Sequence, residues 1–202
     1  EMGLRYVVLT SVTRDDLPDG GACIFAESIR AIRRAIPGAG MEVLVPDFRG
    51  MHGSLRAVLE AGPDVFAHNV ETVRRLQPVV RPQASYGQSL SVLRFAADFR
   101  PRTAVKSGLM LGMGESDEEI VQALDDLVES GCELLTLGQY LAPSAEHHPV
   151  ARFVTPDEFE EWAQKARAAG FKGVASAPRV RSSYKAAELL HFARGETACP
   201  RS

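Results

Sequence analysis

The sequence predicts an α/β fold in which short buried strands alternate with longer amphipathic helices. Two observations support this. Runs such as 4–10 and 41–45 are continuously apolar and rich in β-branched residues, as parallel strands buried on both faces are. Between them, apolar residues recur at helical spacing behind N-capping signals. About five strand–helix repeats indicate a parallel sheet, which a TIM-type barrel or an open doubly wound sheet would both satisfy.

The first half of the chain supplies three of the strands. Pro37-Gly38 and Gly62-Pro63 are helix-terminating pairs that separate the units. The predicted elements are strand 4–10, helix 22–36, strand 41–45, helix 54–60, strand 64–68, and a short helix capped by Asn69 that runs to Leu76.

The second half is marked by three capping boxes. Ser85, Ser116 and Thr155 each stand three residues before Gln or Glu, and each opens a run of apolar residues at helical spacing. The remaining predicted elements are strands 103–110, 133–137 and 171–176, a helix after each capping box, the last ending at Gly170, and a short helix near Leu189. We expect one domain over 1–194 and a disordered tail over 195–202.

Composition narrows the class of protein. With 45% hydrophobic and 24% charged residues the chain is typical of a soluble globular domain, and its net charge of -3 gives no general attraction to nucleic acid. No apolar run approaches the roughly 18 residues that a membrane span needs. The chain opens on Glu1 rather than Met and enters a strand almost at once, so we expect residues upstream of it.

The three cysteines are Cys23, Cys132 and Cys199, and no two of them form a CxxC pair. Their odd number and wide spacing argue against a disulfide framework and fit a reducing compartment. We expect Cys23 and Cys132 to be small core residues.

Polar or glycine-rich segments follow every predicted strand. The carboxyl ends of parallel strands meet at one edge of the sheet, so these segments are predicted to converge on one active-site mouth. The run Gly108-x-Met110-x-Gly112-x-Gly114-Glu115 lacks the Gly-Lys-Ser/Thr ending of a P-loop, and its glycines would let the backbone approach a flat ligand such as adenine.

Six motifs together resemble the lipoyl synthase family of radical S-adenosylmethionine enzymes, over nearly the whole chain. They are Leu9-Thr10-Ser11-Val12-Thr13-Arg14-Asp15-Asp16-Leu17-Pro18-Asp19-Gly20-Gly21, Pro46-Asp47-Phe48-Arg49-Gly50, His68-Asn69-Val70-Glu71-Thr72, Lys106-Ser107-Gly108-Leu109-Met110-Leu111-Gly112, Leu137-Gly138-Gln139-Tyr140-Leu141 and Arg181-Ser182-Ser183-Tyr184.

The resemblance implies a partial (β/α)6 TIM-type barrel of parallel strands, with its first strand missing from this chain. It also implies two four-iron four-sulfur clusters, one of which binds S-adenosylmethionine for reductive cleavage to a deoxyadenosyl radical. The radical abstracts hydrogen from a protein-bound octanoyl chain, and the second, auxiliary cluster donates two sulfur atoms to form the lipoyl cofactor. Both cysteine motifs that hold these clusters are absent here, so the chain alone is expected to be inactive.

The resemblance also assigns roles to residues at the predicted mouth. Ser183 corresponds to the serine ligand of the auxiliary cluster, although Ser182 and Ser183 could instead cap the helix that follows. Serine oxygen is a poorer match than thiolate for an iron that must be released, which fits a cluster that gives up sulfide. The residues implied to bind cofactor are Thr10, Ser11, Asp15, Asn69, Glu71, Lys106, Gly108, Met110, Gln139 and Arg181.

The same resemblance implies the partners: octanoylated lipoyl domains or the glycine-cleavage H protein, an electron donor such as ferredoxin or flavodoxin, and iron–sulfur carrier proteins. It implies a cytoplasmic enzyme, or a mitochondrial matrix enzyme in a eukaryote, with no nucleic acid or membrane partner. Two alternatives stay open. One is a sibling radical enzyme such as biotin synthase, which would lack the Arg181–Tyr184 motif, and the other is a cluster-less paralogue or fragment that only binds protein or a small molecule.

Overall fold

The computed structural model describes residues 3–99 and 102–195, and its centre is one six-stranded parallel sheet. The strands lie in chain order, and each pairs in parallel with the next. The strands are β1 Tyr6–Thr10, β2 Gly40–Leu44, β3 Val65–Ala67, β4 Ala104–Leu111, β5 Leu134–Gln139 and β6 Gly173–Ser176. The helices are α1 Ala22–Ala35, α2 His52–Glu60, α3 Gln77–Val80, α4 Tyr86–Phe99, α5 Asp117–Glu129, α6 Pro156–Ala169 and α7 Ala186–Ala193, with a 3-10 turn at Phe48–Gly50.

The predicted α/β class and its parallel strands are confirmed. Among the described residues the sheet is open, because β1 and β6 are its two edges and do not pair with each other. The chain itself contributes six strands, and the predicted strand that would precede β1 stays a prediction.

The two faces of the sheet differ in what covers them. Alternate residues on β2 to β5, such as Met41, Phe66, Leu109 and Leu135, belong to the main hydrophobic core with the buried faces of helices α1, α2, α4, α5 and α6. The residues between them point the other way because side chains alternate along a strand. The sheet therefore has one face fully packed by helices and a second face available for a site.

Helix α7 covers the amino-terminal part of that second face. Leu189 and Leu190 pack there with Val65, Ala104 and Leu134, which open strands β3, β4 and β5. Arg194, just past α7, forms an ion pair with Asp64 at 2.6 Å. The segment between β6 and α7 therefore runs along this face from the carboxyl ends of the strands to their amino ends.

Two of the three predicted capping boxes are confirmed. The hydroxyls of Ser116 and Thr155 accept from the backbone amides of Glu119 and Glu158, whose carboxylates accept in return from the capping residues' amides. The third differs. The Ser85 hydroxyl accepts from the Gln88 amide at 3.4 Å, but the Gln88 side chain donates to Asp47 at 2.5 Å instead.

The predicted short helix capped by Asn69 is wrong. Residues 69–76 are irregular, and α3 begins only at Gln77. The reason is tertiary. Glu71 bonds to β4 through its backbone, its amide donating to Gly108 and its carbonyl accepting from Met110, and this strand-like pairing excludes a helix.

Cys132 is buried as predicted, and burial raises the pKa of its thiol. The prediction for Cys23 is wrong, because it lies exposed in the first turn of α1 next to Asp19. Cys199 and residues 196–202 of the predicted tail lie outside the described residues.

Within the described ranges, no helix is long and apolar enough to cross a membrane.

Phe159 on α6 is fully buried in the main core, whereas Phe153 is 72% exposed. We predict that Phe159→Ala lowers the free energy of unfolding by about 3–5 kcal/mol, because it removes buried contacts and leaves a cavity. Phe153→Ala is the matched control and should change it by less than about 0.5 kcal/mol. Urea unfolding followed by circular dichroism measures both, and equal losses would contradict the assigned core.

Asp19 stabilises the start of α1 by hydrogen bonds that depend on pH. Its carboxylate accepts from the Cys23 amide at 2.8 Å and the Gly21 amide at 2.9 Å, and these bonds, with the Cys23 amide contributing most, lower its pKa to about 2. A lowered pKa stabilises the fold above the unfolded value of about 3.9, and that contribution is lost as pH falls toward 2. Asp19→Asn should therefore reduce stability at pH 7 and have little effect near pH 2. Urea midpoints at both pH values test this, and an equal loss at both would contradict it.

Candidate functional site

A cavity of about 330 Å3 opens on the second face of the sheet, at the carboxyl ends of β2 to β5, beyond the part that α7 covers. We call it the inner cavity. It is lined by Leu44, Asn69, Glu71, Gly108, Leu109, Met110, Thr136, Gly138, Gln139, Leu141, Val180, Arg181 and Ser182. Six of the ten residues predicted to bind cofactor therefore lie around one space: Asn69, Glu71, Gly108, Met110, Gln139 and Arg181.

Asn69 and Glu71 form the polar wall that follows β3. The Asn69 amide nitrogen donates to the Glu71 carboxylate at 3.2 Å, while the Asn69 side-chain oxygen is buried without a hydrogen-bond partner. Glu71 has φ 70°, an unusual conformation for a residue with a side chain, and its backbone bonds to β4 maintain it. Burial raises the pKa of Glu71, opposed by nearby Arg81 and by the bond from Asn69.

Gly108 forms the floor of the inner cavity. A Cβ atom at this position would lie 2.7 Å from the Thr136 hydroxyl and 3.0 Å from the unpartnered Asn69 oxygen. Any larger residue would clash with both and occupy the cavity. The predicted role of this glycine, to let a ligand approach the backbone, therefore has space and polar groups to act on.

The glycine run continues into a fixed turn after β4. Gly112 has φ 100° and Gly114 has φ 96°, which favour glycine. The Glu115 carboxylate accepts from the amides of Gly112 at 2.5 Å and Met113 at 2.8 Å. The segment is therefore held by its own glutamate, and sequence reasoning assigned no role to that residue.

Gln139 ends β5 and is buried. Its amide nitrogen donates to the carbonyls of Tyr140 and Arg152, and its oxygen accepts from the Val154 amide at 2.8 Å. These bonds tie the strand end to residues 152–154. The prediction that Gln139 binds a ligand stays a prediction; both its N–H groups are used, and its oxygen keeps one acceptor site.

Thr10, Ser11 and Asp15 lie apart from the inner cavity. Thr10 and Ser11 line a smaller adjoining space of about 140 Å3, which shares Asn69 and Glu71 with it. Asp15 lies farther out, in an ion pair with Arg49 at 3.3 Å. It lines a wider outer cavity of about 720 Å3 that includes His147 and His148.

Lys106 and Arg181 differ in what they can reach. The Lys106 ammonium group is fully buried between the Glu42 carboxylate at 2.7 Å and the Ser182 carbonyl at 2.6 Å, so its partners belong to the protein. Arg181 is exposed and lines the inner cavity, with one guanidinium nitrogen donating to the Val180 carbonyl at 2.7 Å. Among the described residues it has no carboxylate partner, so Arg181 is the cation available to a ligand there.

Ser182 and Ser183 are the central residues of a turn closed by the Tyr184 amide, which donates to the Arg181 carbonyl at 2.8 Å. Neither serine caps α7, whose N-cap residue is Lys185 and makes no side-chain capping bond. Ser182 lines the inner cavity, and Ser183 is exposed beside it. The proposed ligand role of Ser183 stays a prediction.

Two residues at this site, Thr136 and Arg81, were not among those predicted from the sequence. Thr136 faces the cavity from β5, and the alternation along that strand could have placed it beside Gly138. Arg81 donates to the Asn69 carbonyl at 3.2 Å from the end of α3. No local pattern marks Arg81, because the irregular path of 69–80 brings it there.

The chain is similar to curated lipoyl synthases over nearly its whole length. It is 54% identical to lipoyl synthase of Rubrobacter xylanophilus over 194 residues, which are 96% of this chain and 60% of that protein. It is also 54% identical to lipoyl synthase of Anaeromyxobacter sp. (strain Fw109-5), covering 98% of this chain and 67% of that protein. The chain thus spans about 60% of the length of the first of these relatives.

Among solved structures, methylornithine synthase shares the fold. Its TM-score is 0.59 at 16% identity, and the match covers 98% of this chain and 69% of that one. Residues 1–127 match the model of the radical SAM superfamily, in which SAM is S-adenosylmethionine. The chain belongs to the radical SAM superfamily and, within it, to the lipoyl synthase family.

Proposed function

We propose that the protein containing this chain is a lipoyl synthase, which inserts two sulfur atoms into a protein-bound octanoyl chain. The observation that carries the proposal is that six of the ten residues predicted to bind cofactor line the inner cavity of a chain that is 54% identical to such enzymes. The match to lipoyl synthases together with the Arg181–Tyr184 motif favours this activity over biotin synthesis.

The inner cavity fits S-adenosylmethionine by two features. The buried Asn69 oxygen has no partner and can accept from a ligand hydroxyl or amine, and Gly108 leaves the space that a flat ring needs. When bound, S-adenosylmethionine supplies the radical that abstracts hydrogen. Asn69 and Glu71 would hold its polar groups, and Arg181 would pair with its carboxylate. Gly108 and Met110 would face its ring. Thr10 and Ser11 line the adjoining space.

The iron–sulfur clusters do not fit the described residues alone. No group of three or more His, Cys, Asp or Glu side chains in the described ranges could hold a metal ion. Ser183 is exposed and directly follows Ser182, which lines the inner cavity, and we propose it as one ligand of an auxiliary cluster whose other ligands lie outside this set.

The partners and compartment follow from the same proposal. The acceptors would be octanoylated lipoyl domains or the glycine-cleavage H protein, with ferredoxin or flavodoxin as electron donor and iron–sulfur carrier proteins as cluster source. The protein would act in the cytoplasm, or in the mitochondrial matrix of a eukaryote.

The function is tested with the anaerobically reconstituted protein that contains this chain, S-adenosylmethionine, a reductant and an octanoyl-lysine peptide. We predict deoxyadenosine and lipoyl peptide as products. Ser183→Ala should retain deoxyadenosine formation and lower lipoyl product at least about tenfold, because hydrogen abstraction and sulfur donation use different clusters. Mass spectrometry quantifies both products.

Ser182→Ala is the matched control, since it removes a neighbouring hydroxyl from the same turn and should retain lipoyl formation. If Ser182→Ala loses the product and Ser183→Ala does not, the wrong serine is assigned. If the unmodified protein binds S-adenosylmethionine but yields neither product, the cluster-less binding protein is the better description.

Asn69→Ala should weaken S-adenosylmethionine binding about tenfold, because it removes the buried oxygen at the cavity wall and the bond that orients Glu71. Isothermal titration with the holoprotein measures the dissociation constant. Gln122→Ala, which removes an exposed amide bonded to Asp126 on α5, is the control and should leave it unchanged. An unchanged constant for Asn69→Ala would move the cofactor site elsewhere.

A further inference from the structure

Lys106 and Glu42 form an ion pair whose two side chains are both 0% exposed. They stand on β4 and β2, on either side of β3, and the ammonium–carboxylate distance is 2.7 Å. The Tyr6 hydroxyl donates to the second carboxylate oxygen at 3.2 Å from β1. Glu42 therefore has partners on both sides, and the Lys106 ammonium group is held in one place.

The same ammonium group makes one contact outside the sheet. It donates to the Ser182 carbonyl at 2.6 Å, a link between residues 76 positions apart in the chain. Ser182 lies in the turn that carries Arg181 and Ser183. The segment between β6 and α7, which bears this turn, runs along the second face of the sheet. Burying two charges is costly, and replacing such a pair by apolar residues often leaves stability unchanged or higher. Fold stability alone therefore does not account for the pair.

We propose that Lys106 is a positioning residue, which Glu42 orients and which anchors the Arg181–Tyr184 turn at the inner cavity through the Ser182 carbonyl. The inference rests on the proposed function for its effect on the reaction, because Arg181 and Ser183 are the turn residues offered to cofactor and cluster. Lys106 itself lines none of the cavities described above, so it acts through the turn rather than by touching a ligand.

The test compares Lys106→Met and the double variant Glu42→Gln/Lys106→Met with the unmodified protein. The double variant removes both charges together, so it avoids the unpaired buried carboxylate that Lys106→Met leaves and carries the test if the single variant does not fold. The first readout is hydrogen exchange of the Tyr184 amide, which closes the turn, in protein without ligands. It should speed up at least about tenfold, while exchange of β4 and β5 amides stays within about twofold.

The second readout is the ratio of lipoyl product to deoxyadenosine in the reconstituted protein. At saturating S-adenosylmethionine it should fall at least about tenfold in the double variant, because excess cofactor compensates for a displaced Arg181 but does not restore the position of Ser183. Lys172→Met is the control. It removes an exposed lysine from an ion pair of similar length, 2.6 Å to Glu133, which precedes the amino end of β5. This variant should change neither readout.

The two readouts test the positioning role of Lys106 and the proposed lipoyl synthase activity separately. Unchanged Tyr184 exchange in the double variant would overturn the positioning role, whatever the enzyme activity. Faster Tyr184 exchange with an unchanged product ratio would also overturn it, because the anchored turn would then have no consequence for the reaction. If the unmodified protein forms no product at all, the proposed function fails, and the exchange measurement still decides whether Lys106 anchors the turn.

Discussion

The buried pair of Lys106 and Glu42 is the interaction on which the arrangement of the site depends. It joins β4 to β2 across β3 and reaches the Ser182 carbonyl on the segment that crosses the sheet. Hydrophobic packing is non-directional, whereas a charged hydrogen bond fixes a distance and an angle. The apolar contacts of α7 with Val65, Ala104 and Leu134 hold the carboxyl-terminal end of the segment. The Lys106 bond to Ser182 fixes where the turn lies along the strands.

The division of the sheet into two faces explains why a cavity exists at all. Helices occupy one face, and within residues 3–99 and 102–195 the other is covered in part by α7 and the crossing segment. Space remains at the carboxyl ends of the strands, where Gly108 and Gly138 contribute no side chains. A Cβ atom at Gly108 would press on Thr136 and Asn69, so the absence of a side chain there is a requirement of the packing.

The polar groups around the cavity differ in how many of their hydrogen bonds are made to other protein groups. Gln139 makes three hydrogen bonds to backbone groups at the rim of the cavity. The Asn69 oxygen has no partner, and Arg181 has no carboxylate partner among the described residues. A buried polar atom without a partner is energetically unfavourable unless a ligand or water satisfies it. The atoms left unsatisfied thus separate groups suited to a ligand from groups that maintain the scaffold.

The sequence by itself determined the α/β class, the six strands, two of three capping boxes and the family, because these depend on local periodicity, helix-end chemistry and contiguous motifs. Only the tertiary structure decided the path of 69–76, the partners of Lys106, the placement of Arg81 and the turn that contains Ser182 and Ser183. The path of 69–76 and the partners of Lys106 are set by bonds between residues distant in the chain, whereas the turn is closed locally by the Tyr184 amide and joined to the sheet through Lys106. Glu71 pairs with a strand about forty positions later, and Lys106 meets a carbonyl 76 positions away, so no local pattern encodes either contact.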